Sequence, residues 1–98
     1  MKIIRYQDSR SEIHFASVQS DGSKLRIEGN PLGDWTQTQE PAQVAKLLSP
    51  IEPRDILCIG LNYRKHAAEG GQAIPEFPVL FMKNSGALTN PGDPIVLP

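Results

Sequence analysis

The sequence has little of what marks several large protein classes. It contains one cysteine, Cys58, so no disulfide can form within the chain. Its longest apolar runs, Ile56–Leu61 and Val79–Met82, fall far short of the roughly 18 residues that a transmembrane helix needs. The formal net charge is −1 and no Lys/Arg cluster is present, so neither nucleic acid nor an anionic membrane is an expected partner. The N-terminus turns polar after Ile4, without a signal peptide, which favours a cytoplasmic protein.

Alternating apolar and polar residues open the chain and predict strands. Lys2–Tyr6, Ile13–Gln19 and Lys24–Glu28 have the period of two that is typical of a strand with one buried face. Asp21-Gly22 lies between the second and third segments and is a strong hairpin-turn signal. The first part of the sequence therefore predicts a small antiparallel meander.

A stretch rich in turn residues follows the meander. Gly29–Pro41 is predicted to be a loop, and its Trp35 is expected to close a core edge or an interface rather than to bind a ligand. Ala42–Leu48 is predicted to form one or two helical turns, because Val44, Leu47 and Leu48 share a face. Ser49-Pro50 would stop this helix, since residues before proline avoid the helical region.

The second half of the sequence has a different pattern. Asp55–Gly60 is a nearly continuous apolar run, as expected for a strand buried on both faces. Asn62–Glu69 is predicted to be helical and to end at Gly70-Gly71, Val79–Lys83 to be a second buried strand, and Ile95–Leu97 to begin a third. We therefore divide the chain into a small β-rich N-terminal domain, 1–52, and a second domain, 53–98.

The predicted strands of the second domain have little connecting structure between them. Such strands cannot close a core by themselves, and exposed apolar faces and unpaired edges are costly. We therefore expect the second domain to be incomplete, and to be completed either by a longer polypeptide or by a partner chain.

Residues 60–71 hold the densest group of side chains that could take part in a chemical reaction. On a helix His66 and Glu69 lie three residues apart and face the same way. A carboxylate beside an imidazole fixes its tautomer and favours its protonated form, and such a pair can move a proton or activate water near neutral pH. The same spacing is common on solvated helix faces, so the pattern alone leaves both interpretations open. Of the other candidates, Cys58 is expected to be a core residue and His14 to be solvated.

Three longer patterns identify a family resemblance. They are Gly-Leu-Asn-Tyr-x-x-His-x-x-Glu, Pro-x-x-Pro-Val-Leu-Phe-Met-Lys and Pro-Gly-Asp-Pro-Ile-Val-Leu-Pro, all within Ile56–Pro98. This stretch closely resembles the opening of the fumarylacetoacetate hydrolase (FAH) catalytic domain. Arg5-Tyr6, Glu28–Pro31 and Leu47–Pro50 are similar to the small N-terminal domain that precedes it in many bacterial members. The resemblance implies an α+β, mostly β protein, with a small antiparallel N-terminal domain followed by the beginning of an FAH-type mixed β-roll.

The same resemblance implies an enzyme. Family members hydrolyse a carbon–carbon bond, decarboxylate oxo-acids or isomerise related compounds, so the implied substrate is a 2-oxo-acid or 1,3-dicarbonyl compound. His66 and Glu69 match the catalytic pair that activates water or shuttles protons, and Glu69 belongs to a segment that can act as a lid. Lys83 matches a lysine near the substrate, and Tyr63 is a further candidate for substrate contact, with surface packing as its alternative. One departure is Asn84, which stands where many members have proline.

The implied cofactor is Mg²⁺, or Mn²⁺ or Ca²⁺, bound by carboxylates. In the family these are a Glu-x-Glu pair and a further Asp, and they come later in the sequence than the residues seen here. No metal ligand is therefore assigned in this chain, and the 98-residue chain alone is expected to be inactive. A homodimer is implied for the complete protein.

Two alternatives to the enzyme remain open. In one, Ile56–Gly60 and Val79–Lys83 pair with a partner chain, and the protein is a non-catalytic structural or regulatory module. In the other, the chain is an unstable truncated product without an independent role.

Overall fold

The computed structural model describes residues 1–97, and strands dominate it. In chain order its elements are β1 (Lys2–Gln7), β2 (Ile13–Val18), β3 (Lys24–Gly29), β4 (Trp35–Pro41), β5 (Lys46–Leu48), β6 (Ile56–Gly60), α1 (Arg64–Glu69), β7 (Val79–Lys83) and a 3-10 turn (Ser85–Ala87). This confirms the α+β, mostly β fold class predicted from the sequence. None of the helices in these residues has the length and apolar character needed to cross a membrane.

The described residues form two compact units. One contains residues 1–52 together with 88–97, and the other contains residues 53–87. The larger unit is called the sheet unit below, and the smaller one the hairpin unit. Residues 88–97 follow the hairpin unit in the chain but pack with the sheet unit. Whether the predicted division at 52/53 separates two domains stays a prediction.

The sheet unit is a five-stranded antiparallel sheet with the strand order β4-β3-β2-β1-β5. The predicted meander forms its centre, where Ile4 pairs with Ala16 and Tyr6 with His14. Because side chains alternate along a strand, Ile4 and Tyr6 share one face with Ala16. These three apolar side chains are buried and form the core cluster of the unit.

The turn-rich stretch contains a strand that the sequence analysis predicted to be loop. Trp35–Pro41 forms β4 and pairs with β3, with Gly29 opposite Trp35. The turn itself is confined to 30–34, where Asn30 N–H donates to the Asp34 carbonyl at 2.9 Å and Gly33 N–H to the Asn30 carbonyl at 2.8 Å. Gly29 has φ +99°, and a Cβ there would lie 2.4 Å from the Asp34 oxygen. The tight turn therefore frees the following residues to pair, although β4 carries few apolar side chains to mark it.

The predicted helical turns over Ala42–Leu48 are also wrong. Lys46–Leu48 forms β5, whose Leu47 pairs with Tyr6 of β1. Before it, Ala45 N–H donates to the Gln7 carbonyl at 2.9 Å. The physical reason is that β1 would otherwise be a sheet edge with unpaired backbone groups. The segment consists mostly of good helix formers, but it is too short to be stable as an isolated helix, so pairing with β1 overrides its propensity.

Residues 88–97 are tied to β5 by a small polar network. Ser49 N–H donates to Asn90 Oδ1 at 2.9 Å, and Asn90 Nδ2 donates to Asp93 Oδ2 at 2.9 Å. Lys46 Nζ lies 2.8 Å from Asp93 Oδ1. The hydrogen bond from Lys46, followed by the one from Asn90, lowers the pKa of the Asp93 carboxyl. The third strand predicted at Ile95–Leu97 does not form, and these side chains are exposed.

The hairpin unit pairs β6 with β7 in antiparallel register, as the two apolar runs predicted. Its strands are not buried on both faces, however. Leu57 is 66 % exposed and Leu80 is 64 % exposed, and Cys58, expected in a core, is half-buried. A sheet of two strands has no second layer to cover it, so most apolar side chains of these strands are exposed within the described residues.

Candidate functional site

The candidate site lies where β6 leads into α1. Leu61 follows the last strand residue, Gly60, with φ +50°, which is the left-handed region that branched side chains rarely adopt. Tyr63 precedes the helix in an extended conformation, with φ −107° and ψ 130°. The chain thus turns sharply from strand to helix, at a place where backbone strain is often associated with function.

Helix α1 is short and is held by a single buried side chain. Ala67 is 1 % exposed, and the rest of the helix faces solvent. The helix ends as predicted at Gly70-Gly71, where Gly70 N–H donates to the His66 carbonyl at 3.2 Å. Gly71 has φ +62°, a conformation that glycine adopts without cost. The helix therefore presents its polar side chains outward from a small apolar anchor.

The structure brings the two predicted catalytic side chains together. His66 Nδ1 lies 3.9 Å from Glu69 Oε2, within ion-pair distance but beyond hydrogen-bond distance. Both side chains are open to water, at 68 % and 76 % exposure. A rotation of either side chain would close the gap, so the pair is available to a substrate that approaches this face of the helix.

A cavity of about 410 Å³ lies beside the start of α1. The end of β6, the turn before the helix and the segment 74–78 line it. Its polar lining comes from Asn62, Arg64 and Glu76, and His66 is not part of the lining. Sequence analysis did not single out Asn62 or Glu76, and the only signal for Glu76 was its position between Pro75 and Pro78.

The two predicted substrate contacts lie in different places. Tyr63 directly precedes α1 and is 74 % exposed. Lys83 is the last residue of β7 and pairs with Ile56, whereas Gly60, next to the helix, pairs with Val79. Four residue steps along the strand separate these ends, which is about 13 Å. Lys83 therefore lies at the far end of the hairpin from Tyr63, with its Nζ 6.0 Å from the Phe81 ring centroid.

The residues around α1 do not make a site for a hard divalent cation. Such ions need several carboxylate or carbonyl oxygens converging on one point. The carboxylates of residues 53–87 are Asp55, Glu69 and Glu76, and they do not form a cluster with ligand spacing; within residues 1–97 the group that has such spacing lies in the sheet unit. The side chains near α1 thus offer acid–base groups but no metal cage.

The group in the sheet unit that has ligand spacing consists of Asp8, Glu12 and His14, whose possible ligand atoms lie within 4.8 Å of one another. Asp8 Oδ1 accepts from the backbone N–H of Arg10 at 2.8 Å and of Glu12 at 2.9 Å. Asp8 Oδ2 lies 3.0 Å from His14 Nε2. The hydrogen bond from Glu12 is the main cause of a lowered pKa of the Asp8 carboxyl. The group is therefore a hydrogen-bonded turn, in which the Asp8 carboxylate already accepts hydrogen bonds from the protein.

His14 itself corrects the expectation of a solvated side chain, since it is 15 % exposed. Its ring lies 5.6 Å from the Tyr6 ring, directly opposite on the neighbouring strand. Asp8 covers the Nε2 atom of His14. No sequence pattern indicated this burial, because the residue that covers His14 comes from the turn between β1 and β2.

Comparison with known proteins adds a second line of observation. Residues 55–98 match the fumarylacetoacetate (FAA) hydrolase C-terminal family, and residues 1–50 match the Rv2993c-like N-terminal family. A fumarylacetoacetate hydrolase domain-containing protein 2 homolog from Dictyostelium discoideum is 41% identical over 70% of this chain and 23% of its own length. An oxaloacetate tautomerase, mitochondrial fahd2 of Xenopus laevis, is 42% identical over 53% of this chain and 17% of its own length.

A solved structure supports the same assignment. An uncharacterised protein from Mycobacterium abscessus superposes with a TM-score of 0.76 and 34% identity, over 100% of this chain and 39% of its own length. The chain thus spans less than half the length of the relatives that it matches. Since the two family matches fall on either side of residues 51–54 and the solved relative follows the described fold, the chain belongs to the fumarylacetoacetate hydrolase family and carries its N-terminal portion.

Proposed function

We propose that the complete protein is an enzyme that acts on a 2-oxo-acid or 1,3-dicarbonyl substrate, with His66 as its acid–base residue. The observation that carries this proposal is the His66–Glu69 pair, 3.9 Å apart on a helix that begins beside a cavity of about 410 Å³. Several relatives are named oxaloacetate tautomerases, which supports oxaloacetate as the first substrate to test.

The proposed proton transfer gives separate roles to His66 and Glu69. In keto–enol tautomerisation a C–H bond next to the oxo group breaks, its electron pair forms the new carbon–carbon double bond, and the oxo oxygen gains a proton. Neutral His66 would accept the carbon-bound proton, and Glu69 would stabilise the imidazolium that results. The π electrons of the carbonyl bond would pass to the oxo oxygen, which would then take the proton from that imidazolium and return His66 to its neutral form. The exposed pair becomes more effective once the substrate excludes water, because charge interactions strengthen in a less polar surrounding.

The proposed cofactor is Mg²⁺, or Mn²⁺ or Ca²⁺, held by carboxylates outside residues 1–98. When bound, such an ion would stabilise the negative charge that develops on the oxo oxygen of the substrate, whereas the side chains around α1 would transfer the proton and make no cage for the ion. Lys83 and Tyr63 remain proposed substrate contacts. For Lys83 this requires a substrate, or a partner strand, that reaches the far end of the hairpin. A homodimer and a cytoplasmic location complete the proposal, and light scattering and cell fractionation test them.

The decisive experiment measures the keto–enol conversion of oxaloacetate by the full-length protein through the absorbance of the enol. His66→Ala should lower the turnover number by roughly a hundred- to ten-thousand-fold, the usual contribution of a general acid–base group. Lys65→Gln is the matched control, because Lys65 is an exposed neighbour on the same helix and should leave turnover unchanged. Unchanged turnover in His66→Ala would refute the role of His66. Product analysis separates tautomerisation from decarboxylation and from hydrolysis of a carbon–carbon bond.

A second candidate function is a non-catalytic structural or regulatory module. The exposed apolar side chains of β6 and β7 favour it, since such faces often receive a partner chain. A protein that converts none of these substrates, with or without added divalent ions, but binds a partner through the hairpin would support this candidate.

A further inference from the structure

A groove in the sheet unit has no part in the proposed reaction. Its volume is about 620 Å³, which is in the range of small-molecule sites. Ile3, Arg5 and Phe15 line it from the sheet, and Arg5 pairs directly with Phe15 across β1 and β2. Since side chains alternate along β1, this groove lies on the face opposite to Ile4 and Tyr6, which belong to the core cluster.

A buried cation forms the polar end of this groove. Arg5 is 8% exposed. Its Nη1 donates to the Ser49 carbonyl at 3.4 Å, and its Nη2 donates to Glu52 Oε1. A buried guanidinium requires an anion, because an unpaired charge away from water is strongly unfavourable. The backbone of Ser49 holds the guanidinium in place, and a carboxylate neutralises it.

The carboxylate that neutralises Arg5 is loosely held. Among the described residues Glu52 is the one acidic side chain in ion-pair contact with Arg5, and it is 75% exposed. An exposed partner gains little from the pair, since water competes for it and its rotamers are restricted. Arginine presents donors in a planar fork that fits a carboxylate well. Another carboxylate that also buries apolar surface could therefore replace Glu52.

The groove also has exposed apolar side chains that an apolar part of such a ligand could cover. Leu32 is 83% exposed and Ile51 is 49% exposed, and both line the groove together with Phe15 and Ile3. Covering them with a short hydrocarbon chain removes apolar surface from water, at about 25 cal/mol per Å². The charged side chains of the lining are one base, Arg5, and one acid, Glu52. A ligand that displaces Glu52 therefore needs one negative charge at one end of an apolar molecule.

We propose that this groove binds small apolar monocarboxylates, with Arg5 as the carboxylate anchor and Glu52 as an internal competitor that moves aside. The site is separate from His66 and does not depend on the proposed reaction. It therefore adds a ligand-binding function to the N-terminal portion of the protein.

The test is a calorimetric titration of the full-length protein with hexanoate, and with hexan-1-ol as the uncharged probe of the same length. Hexanoate should bind saturably, and at least about tenfold more tightly than hexan-1-ol, because a charge-assisted hydrogen bond distinguishes them. Glu52→Gln removes the competitor and should tighten hexanoate binding by about tenfold. Glu40→Gln is the matched control. It also removes an exposed acid paired with an arginine, Arg26, but Glu40 does not line the groove, so binding should not change.

Three results would overturn the proposal. The first is the absence of saturable hexanoate binding, as expected if a second copy of the chain or another segment of the protein covers the groove. The second is equal affinity for hexanoate and hexan-1-ol, which would leave Arg5 without a role. The third is unchanged or weaker hexanoate binding by a folded Glu52→Gln protein. If that variant fails to fold, the comparison of hexanoate with hexan-1-ol on the unaltered protein still decides the matter.

Discussion

The sheet unit and the hairpin unit use their apolar residues in opposite ways. In the sheet unit Tyr6 is 2% exposed and Ala16 is fully buried. In the hairpin unit all five residues of β7 are exposed, and among residues 53–87 Ala67 is the one buried apolar side chain. Five paired strands provide a covered face, whereas two strands do not.

This difference separates the stable part of the molecule from the part that carries the proposed catalytic residues. The sheet unit has the packed core and the satisfied polar groups that resist opening. The hairpin unit carries His66 and Glu69 on a helix with one anchoring side chain, so it belongs to the low-stability end of the molecule.

The largest expected effect on stability comes from breaking the packed unit. Tyr6→Ala should lower the free energy of unfolding by about 3–5 kcal/mol, since it removes a large aromatic side chain from the core and leaves a cavity. Phe81→Ala in β7 should cost less than about 1 kcal/mol, because Phe81 is already 43% exposed. Denaturant unfolding of both variants, monitored by circular dichroism, makes the comparison. Equal losses would show that the two units are packed alike.

The next effect concerns the connection that returns to the sheet unit. Asn90→Ala removes the acceptor of Ser49 N–H and should cost about 1 kcal/mol. Asn84→Ala is the control, since the Asn84 side chain accepts from the nearby Gly86 N–H in an exposed turn and should change stability by less than half as much. Thermal unfolding of the two variants distinguishes them. A smaller loss for Asn90→Ala than for Asn84→Ala would mean that residues 88–97 do not stabilise the sheet.

The protection of backbone amides from hydrogen exchange should differ between the two units, and this can be measured without any mutation. Amide hydrogen exchange should be slower at Ile4 and Ala16 than at Leu57 and Leu80, because the first pair lies in the middle of a covered sheet and the second pair in an uncovered hairpin. Mass spectrometry of exchanged peptides measures this. Faster exchange in β1 than in β7 would reverse the comparison between the two units.

The smallest effect is expected from pH. The folded-state pKa of Asp8 is lowered, chiefly by the Glu12 backbone N–H, so its contribution to stability is present above its unfolded value of 3.8 and is lost as pH falls through the folded value. Asp8→Asn should therefore be less stable than the unaltered chain at neutral pH, and the difference should shrink in acid. Acid titration of unfolding free energies tests this. A difference in unfolding free energy that is constant with pH would show that the charge of Asp8 does not stabilise the fold.

Sequence patterns predicted β1, β2, β3, β6 and β7 because each is marked by its own residues. Period two and the Asp21-Gly22 turn are local, and so are the apolar runs around Ile59 and Phe81. The pairing of His66 with Glu69 was also predictable, since three residues on a helix fix their distance. In contrast, β4 and β5 were missed, because their strand state depends on edges offered by β3 and β1 rather than on their own composition.

Residue patterns alone were enough to predict the meander of β1 to β3, the two strands of the hairpin unit, the short helix that carries His66, and the family to which the chain belongs. These follow from local spacing and residue type. No local pattern indicated that Leu47 pairs as a strand, that the Asn90 side chain bonds to Ser49, or that Arg5 is buried beside an exposed Glu52. Each of those results joins residues more than 40 positions apart in the chain, and the free energy that selects them comes from satisfying backbone groups and charges in the folded sheet.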